Sequence, residues 1–231
     1  EGTYHQLLLV YEMTKALHYP QQALFSIEFQ SGGKNDHSNT QSSFFDLHTR
    51  LCLSTGMRAV NHYLFFAGEN DPILSPVKRH DWGPPVRKDG SVRQHYFRYP
   101  RLSRVLNTYG EALTLSQPEY STTIGFLLDY FMTEINNAYT RQAADILTHQ
   151  RDVVLFDFLG RGLALTHRPY NTIELERGVL DAAKTSLLWV MMEKQCNAAT
   201  QQKLVDYLEK GGSLVIAGRM CVEDFHHRPC T

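Results

Sequence analysis

An α/β fold built on parallel strands is predicted by three features of this 231-residue sequence. Helix-like and strand-like segments alternate along the chain. The turns from helix to strand are short, whereas those from strand to helix are long. Polar residues of otherwise apolar strands fall at the carboxyl ends. Parallel sheets, barrel or open, have this rhythm and carry their function at those ends.

Taken in order, Tyr4 to Leu17 places Leu7, Leu8, Val10, Tyr11 and Ala16 at helical spacing before His18-Tyr19-Pro20 stops the helix. Ala23 to Gln30 alternates as a strand, with Leu24, Ser26, Glu28 and Gln30 on one face and Phe25, Ile27 and Phe29 on the other. The Phe-Ile-Phe face implies an apolar cover, so the strand is expected away from a sheet edge. A helix from Ser43 to Ser54 ends at Thr55-Gly56, and Ala59 to Ala67 is a second, aromatic-rich strand. A long loop rich in Pro, Gly and charge, Asp71 to Tyr99, precedes a helix from Pro100 to about Leu113, and Thr114 to Tyr120 reads as a linker. Beyond it, strands are expected at Thr122–Leu128, Asp152–Phe158, Thr185–Met192 and Ser213–Ala217. Helices are expected at Asn137–His149 and Ala199–Lys210, the last closed by Gly211-Gly212. This second pass resembles an open doubly wound sheet of the flavodoxin or class I amidotransferase type.

Composition narrows the function classes. The chain is 42% hydrophobic and 11% aromatic, with 23 Lys and Arg against 24 Asp and Glu for a net charge of −1. A basic face for nucleic acid is not in evidence, and no apolar run approaches the roughly 20 residues that span a bilayer. Glu1-Gly2-Thr3 leads straight into an apolar-periodic segment without the parts of a signal peptide. The four cysteines, Cys52, Cys196, Cys221 and Cys230, are too few and too uneven for a disulfide scaffold. Cys221 and Cys230 bracket His226 and His227 but lack the close-spaced knuckle of a structural zinc site, which favours reduced thiols in a cytoplasmic protein.

Glu28 is the sharpest functional candidate. A carboxylate near the end of an apolar strand, flanked on its face by Ser26 and Gln30, is costly to bury without hydrogen bonds or a task. Its chemistry alone leaves a structural ion pair, a nucleophile, a general base and a metal ligand open. Leu24 to Gly32, however, resembles the nucleophile strand of glycoside hydrolase family 35 β-galactosidases, where an aromatic residue and then Gln-(Ala/Ser)-Gly follow the glutamate. Val60 to Asn70 is similar to that family's last barrel strand. His80-Asp81-Trp82-Gly83-Pro84-Pro85-Val86, with Gly90 and Tyr96, resembles a later segment near the sugar.

The resemblance implies that residues 1–115 are the C-terminal portion of a (β/α)₈ barrel and that residues 120–231 are an incomplete amidotransferase-like domain. It implies retaining hydrolysis of a β-galactoside, with Glu28 as nucleophile and Gln30, Tyr63 and Trp82 binding substrate. No metal and no organic cofactor enter this reading. Glu69, His80 and Trp82 depart from the residues usual in the family. The family's acid/base glutamate follows an asparagine, and no Asn-Glu pair occurs here. The remainder of the barrel or a partner chain is therefore expected to supply it. A whole barrel takes about 250 residues, so these positions imply a window on a larger enzyme, inactive as the isolated chain. A non-catalytic carbohydrate-binding or assembly module is the alternative.

The second domain is expected to be structural, with homo-oligomer contacts as its role. Lys203 to Val215 resembles the domain that follows the barrel in some bacterial β-galactosidases. Cys196 lacks the flanking glycines of a nucleophile elbow, and Gly160-Arg161-Gly162 lacks the third glycine of a dinucleotide fingerprint.

Overall fold

The computed structural model describes residues 4–19, 21–30, 42–76, 78–80, 83–135 and 137–230. In chain order the elements are α1 (Tyr4–Leu17), β1 (Leu24–Gln30), α2 (Ser42–Ser54), β2 (Met57–Tyr63), β3 (Gly68–Glu69), β4 (Arg79–His80) and α3 (Arg98–Leu115). They continue as β5 (Thr122–Phe126), α4 (Arg141–His149), α5 (Arg161–Leu165), β6 (Tyr170–Glu174), β7 (Leu187–Met192), α6 (Ala198–Glu209) and β8 (Ser213–Gly218). Two units divide the chain: a larger one of residues 1–18 and 119–231, and a smaller one of residues 19–118.

The larger unit holds a four-stranded parallel sheet in the order β6-β5-β7-β8. The chain steps from β5 outward to β6, then returns to the far side of β5 for β7 and β8. The strand order thus reverses between β5 and β7, and open parallel sheets bind ligands at such reversals. Every residue of β5 is buried, and since successive side chains point to opposite faces, both faces of that strand are covered. Ile124, Phe126, Leu188 and Val190 form the centre of the core with Leu9, Leu155 and Leu159.

Two elements of this unit differ from the sequence expectation. Asp152–Phe158 is not a strand: it lies in a helical rod that runs from α4 through a π-wound stretch, Gln150–Gly160, into α5. Its buried leucines, Leu155, Leu159 and Leu163, recur every four residues. The short apolar run around Val153 to Phe158 mimics a strand because it fits both periods. Conversely, β6 was not expected, since the side it buries is polar: Tyr170, Thr172 and Glu174.

The helix α1 belongs to this larger unit rather than with the segments that follow it. His5, Leu9, Glu12 and Met13 make its buried stripe. Leu9 sits over Gly160, where a Cβ would lie 3.2 Å from the leucine methyl, so the missing side chain lets the two helices approach.

In the smaller unit, β1 and β2 pair in parallel through the crossover helix α2. Their sheet has two strands among the described residues. The expected cover over Phe25, Ile27 and Phe29 is therefore realised for Phe29 alone, which is 2% exposed, while Phe25 is 51% and Ile27 70% exposed. A break in register between Ser26 and Phe29 separates the fates of these residues.

Candidate functional site

The carboxyl ends of β1 and β2 bring Glu28, Gln30 and Tyr63 onto neighbouring strands. Gln30 pairs with Tyr63 at the final rung. Before it, Ser26 faces Val60 and Phe29 faces His62, so β1 takes three steps where β2 takes two. This is a bulge at Ile27-Glu28, a feature that re-aims side chains and recurs beside active sites. The side-chain amide of Asn61, the one β2 residue within that interval, donates to the Ile27 carbonyl at 2.9 Å. Asn61 thus supplies the hydrogen bond that the irregular ladder withholds.

Glu28 itself is exposed, which corrects the expectation of a buried carboxylate. The bulge and the two-stranded sheet leave it open on its side. No hydrogen bond or ion pair engages its carboxylate among the described residues.

Behind the strands lies an aromatic wall. The His62 ring meets Tyr99 at 4.7 Å, Phe29 at 5.8 Å and Phe45 at 6.4 Å between centroids. Phe65 meets Tyr99 at 4.9 Å. Burial holds the His62 imidazole below its ordinary range, and Nδ1 has no hydrogen-bond partner. It is a neutral packing residue, as a histidine inside a strand usually is. Arg98, 6% exposed, lays its guanidinium 5.4 Å from the Phe45 ring centre and closes the wall with a cation–π contact.

Tyr63 ends β2 half-buried, and Leu64, at φ 56°, turns the chain immediately after it. The chain then runs beside Pro84–Val86. Ala67 N donates to Val86 O at 2.9 Å and Val86 N to Phe65 O at 3.1 Å. Arg93 fastens the same segment through Nε to Pro84 O at 2.9 Å and its own amide to Pro85 O at 2.8 Å. The residues just after Trp82 are thereby fixed next to the extension of β2. Trp82 itself lies outside the described residues, as does the side chain of Gln30.

Glu69 does not join Glu28 as a free carboxylate. It sits in β3, which pairs with β4, and its Oε1 accepts from Lys88 Nζ at 2.6 Å. Asn61, Arg93 and Arg98 were not singled out by the sequence. Asn61 stands inside the quoted strand motif, but its task depends on a bulge that no local pattern announces.

In the larger unit, Cys196 is fully buried, and burial pushes its thiol up to about 12. It is a neutral packing group, unsuited to nucleophilic attack. Gly160-Arg161-Gly162 lies within the helical rod, where it forms no phosphate loop.

Comparison with known proteins now adds a class. Residues 138–231 match the family model described as GLMA-like, second domain. The chain is 29% identical over 198 residues to an exo-beta-D-glucosaminidase of Thermococcus kodakarensis, covering 83% of this chain and 24% of that protein. It is 21% identical over 209 residues to a beta-1,2-glucosyltransferase of Ignavibacterium album, covering 85% and 29%. The chain therefore spans about a quarter of the length of the curated relatives it matches.

Among solved structures, Gan42B, a GH42 beta-galactosidase of G. stearothermophilus, aligns with TM-score 0.66 at 15% identity over 98% of this chain and 31% of that one. A beta-galactosidase from Bacillus circulans sp. alkalophilus aligns with TM-score 0.67 at 10% identity over 92% and 30%. The chain is thus a mixed α/β protein with parallel sheets, similar in fold to part of these beta-galactosidases and similar in sequence to part of the exo-beta-D-glucosaminidase and the beta-1,2-glucosyltransferase. Gan42B is described as family 42 rather than family 35, and the matched domain model is GLMA-like rather than amidotransferase. The resemblance accordingly stands at the level of glycoside hydrolases. No helix among the described residues is long and apolar enough to cross a membrane.

Proposed function

We propose that this chain is part of a retaining β-glycosidase in which Glu28 is the nucleophile. The observation that carries the reading is the Glu28 carboxylate, unpaired among the described residues and held by a bulge near the carboxyl end of a parallel strand, the end where such folds place their chemistry. Residues 19–118 are the barrel portion of this reading, and residues 1–18 with 119–231 a structural domain. Glu28 attacks the anomeric carbon and forms a covalent glycosyl-enzyme. A second carboxyl group about 5 Å away protonates the leaving oxygen and then activates water. Tyr63, Gln30 and Trp82 bind the sugar, Trp82 by stacking on its apolar face.

The second carboxyl group comes from outside these 231 residues, in the rest of the polypeptide or a partner chain, because there is no Asn-Glu pair and Glu69 is engaged by Lys88. The same observation favours a second reading, a non-catalytic carbohydrate-binding or assembly module. The substrate is a terminal β-hexosyl residue. The strand motifs point to β-D-galactosyl, and the likeness to the exo-beta-D-glucosaminidase of Thermococcus kodakarensis points to β-D-glucosaminyl.

The test is Glu28→Gly in the whole polypeptide that carries this sequence, assayed on aryl β-galactoside and aryl β-glucosaminide. Turnover should fall about a thousandfold or more, and azide should restore it with release of the α-glycosyl azide. Unchanged turnover would sink the nucleophile assignment. A whole polypeptide inert on both substrates before mutation would favour the non-catalytic module.

A further inference from the structure

The larger unit has a crevice of its own, where the chain leaves the carboxyl ends of β5, β7 and β8, at the reversal in strand order. Its volume is about 480 Å³, within the usual range for small-molecule sites. The floor is built by Tyr130: its hydroxyl accepts from Glu193 N at 3.1 Å and donates to Gln195 O at 2.6 Å. One phenol thereby fastens the segment after β5 to the segment after β7.

Glu193 lines this crevice and is 5% exposed. Its Oε1 is buried without a hydrogen-bond partner. The nearest cationic group, Arg219 Nε, stands 3.7 Å away, beyond hydrogen-bond reach, on the residue that follows β8. A buried carboxylate oxygen left without a hydrogen-bond donor is costly, so this oxygen, ion-paired to Arg219 but accepting no hydrogen bond, suits a donor from a ligand.

The other lining groups say what kind of ligand. Asp129 and Glu193 are matched by Lys194 and Arg219, and His227 at the lining is paired with Glu223, so acidic and basic side chains balance and the crevice favours neither a cation nor an anion. Gln142 adds an amide that both donates and accepts. Tyr139 and Phe225 add ring faces, and Ile146 and Leu147 an apolar flank. Acceptors and donors set around an apolar face suit adjacent hydroxyl groups on a ring whose other surface is C–H.

We propose that this crevice is a binding site for a neutral saccharide, with Glu193 accepting from a pair of hydroxyl groups and Arg219 donating beside it. Its lining residues all belong to the larger unit, and it needs no catalysis at Glu28 to be occupied.

The probes are methyl β-D-galactopyranoside and methyl β-D-glucopyranoside, titrated into the 231-residue chain by calorimetry and by saturation-transfer NMR. Saturable binding of at least one is expected, unchanged in Glu28→Gln. Glu193→Ala should weaken it about tenfold or more, and Ala143→Trp, which fills the crevice from an exposed helix position, should abolish it. The second variant leaves Glu193 in place, so the result does not depend on how the buried carboxylate affects folding. Binding of neither glycoside, or binding that both variants leave intact, would overturn the proposal. Binding lost in Glu28→Gln and untouched in Glu193→Ala would overturn it while supporting the proposed function. Binding of glucosamine or glucuronate about tenfold tighter than of the neutral glycosides would overturn the neutral-ligand assignment.

Discussion

The two units use parallel strands in opposite ways. In β5 all five residues are buried, as expected where a parallel strand has layers on both sides. In β1, Phe25 and Ile27 are largely exposed, and Phe29 is sealed by the aromatic wall. Apolar residues therefore hold the larger unit together through its sheet. The smaller unit relies on the ring cluster around His62 and on the loop clamp of Arg93, and its sheet keeps an open side where Glu28 stands.

The comparison breaks most directly on the apolar residues themselves. Phe126→Ala in β5 should cost about 3–5 kcal/mol of stability, whereas Ile27→Ala in β1 should stay within about 0.5 kcal/mol, both read by urea denaturation. Equal losses would mean that β1 is as fully covered as β5.

Next in size is a polar tie within the larger unit. Lys203 Nζ donates to the carbonyls of Leu175, Glu176 and Gly178 at 2.6, 2.8 and 3.0 Å. Lys203→Met keeps the stem and removes all three bonds, so a loss of about 1–3 kcal/mol is expected, with faster hydrogen exchange after β6. An unchanged unfolding midpoint would show that water replaces the ammonium at no cost.

The third prediction sets a pH dependence on the larger unit. Glu12 is buried with Lys15 as its partner at 2.8 Å, and burial raises its carboxyl above the ordinary value of 4.5. The folded state thus holds a proton that the unfolded chain releases at lower pH. The corresponding stability is present below about 4.5 and is lost as pH rises through the raised value. Glu12→Gln should flatten that slope and leave the chain about 1–3 kcal/mol more stable at neutral pH, measured as denaturation midpoints across pH. A midpoint that rises with pH equally in both proteins would contradict it.

The smallest effect sharpens the account of the bulge. Asn61→Ala removes one hydrogen bond to the Ile27 carbonyl and should cost about 1 kcal/mol. Its specific sign is faster amide exchange at Ile27 to Phe29 with the ring cluster unchanged.

What the sequence made legible follows from these differences. The strands β5, β7 and β8 and the helices α2, α3 and α6 stand where periodicity puts them, because each carries apolar residues in a simple rhythm. Residues 152–158 misled because Val153, Val154 and Phe156 are residues a strand also favours, while the leucines spaced by four fix a helix. β6 was illegible because Tyr170, Thr172 and Glu174 face inward. At the candidate site, the strand motifs single out Glu28, Gln30 and Tyr63. They do not reveal the bulge that re-aims Glu28, since it arises from register with β2 rather than from β1 alone. The crevice around Glu193 was hidden for a similar reason: its walls are the segments after three strands, assembled only by the order of the sheet.

The central claim is that Glu28 is the nucleophile. It is tested most directly by inactivating the whole polypeptide that carries this sequence with a 2-deoxy-2-fluoro β-glycoside bearing an activated leaving group, then mapping the labelled peptide by mass spectrometry. The account predicts a single glycosyl adduct on Glu28, released slowly by water. An adduct on any other carboxylate, with Glu28 unmodified, would contradict it.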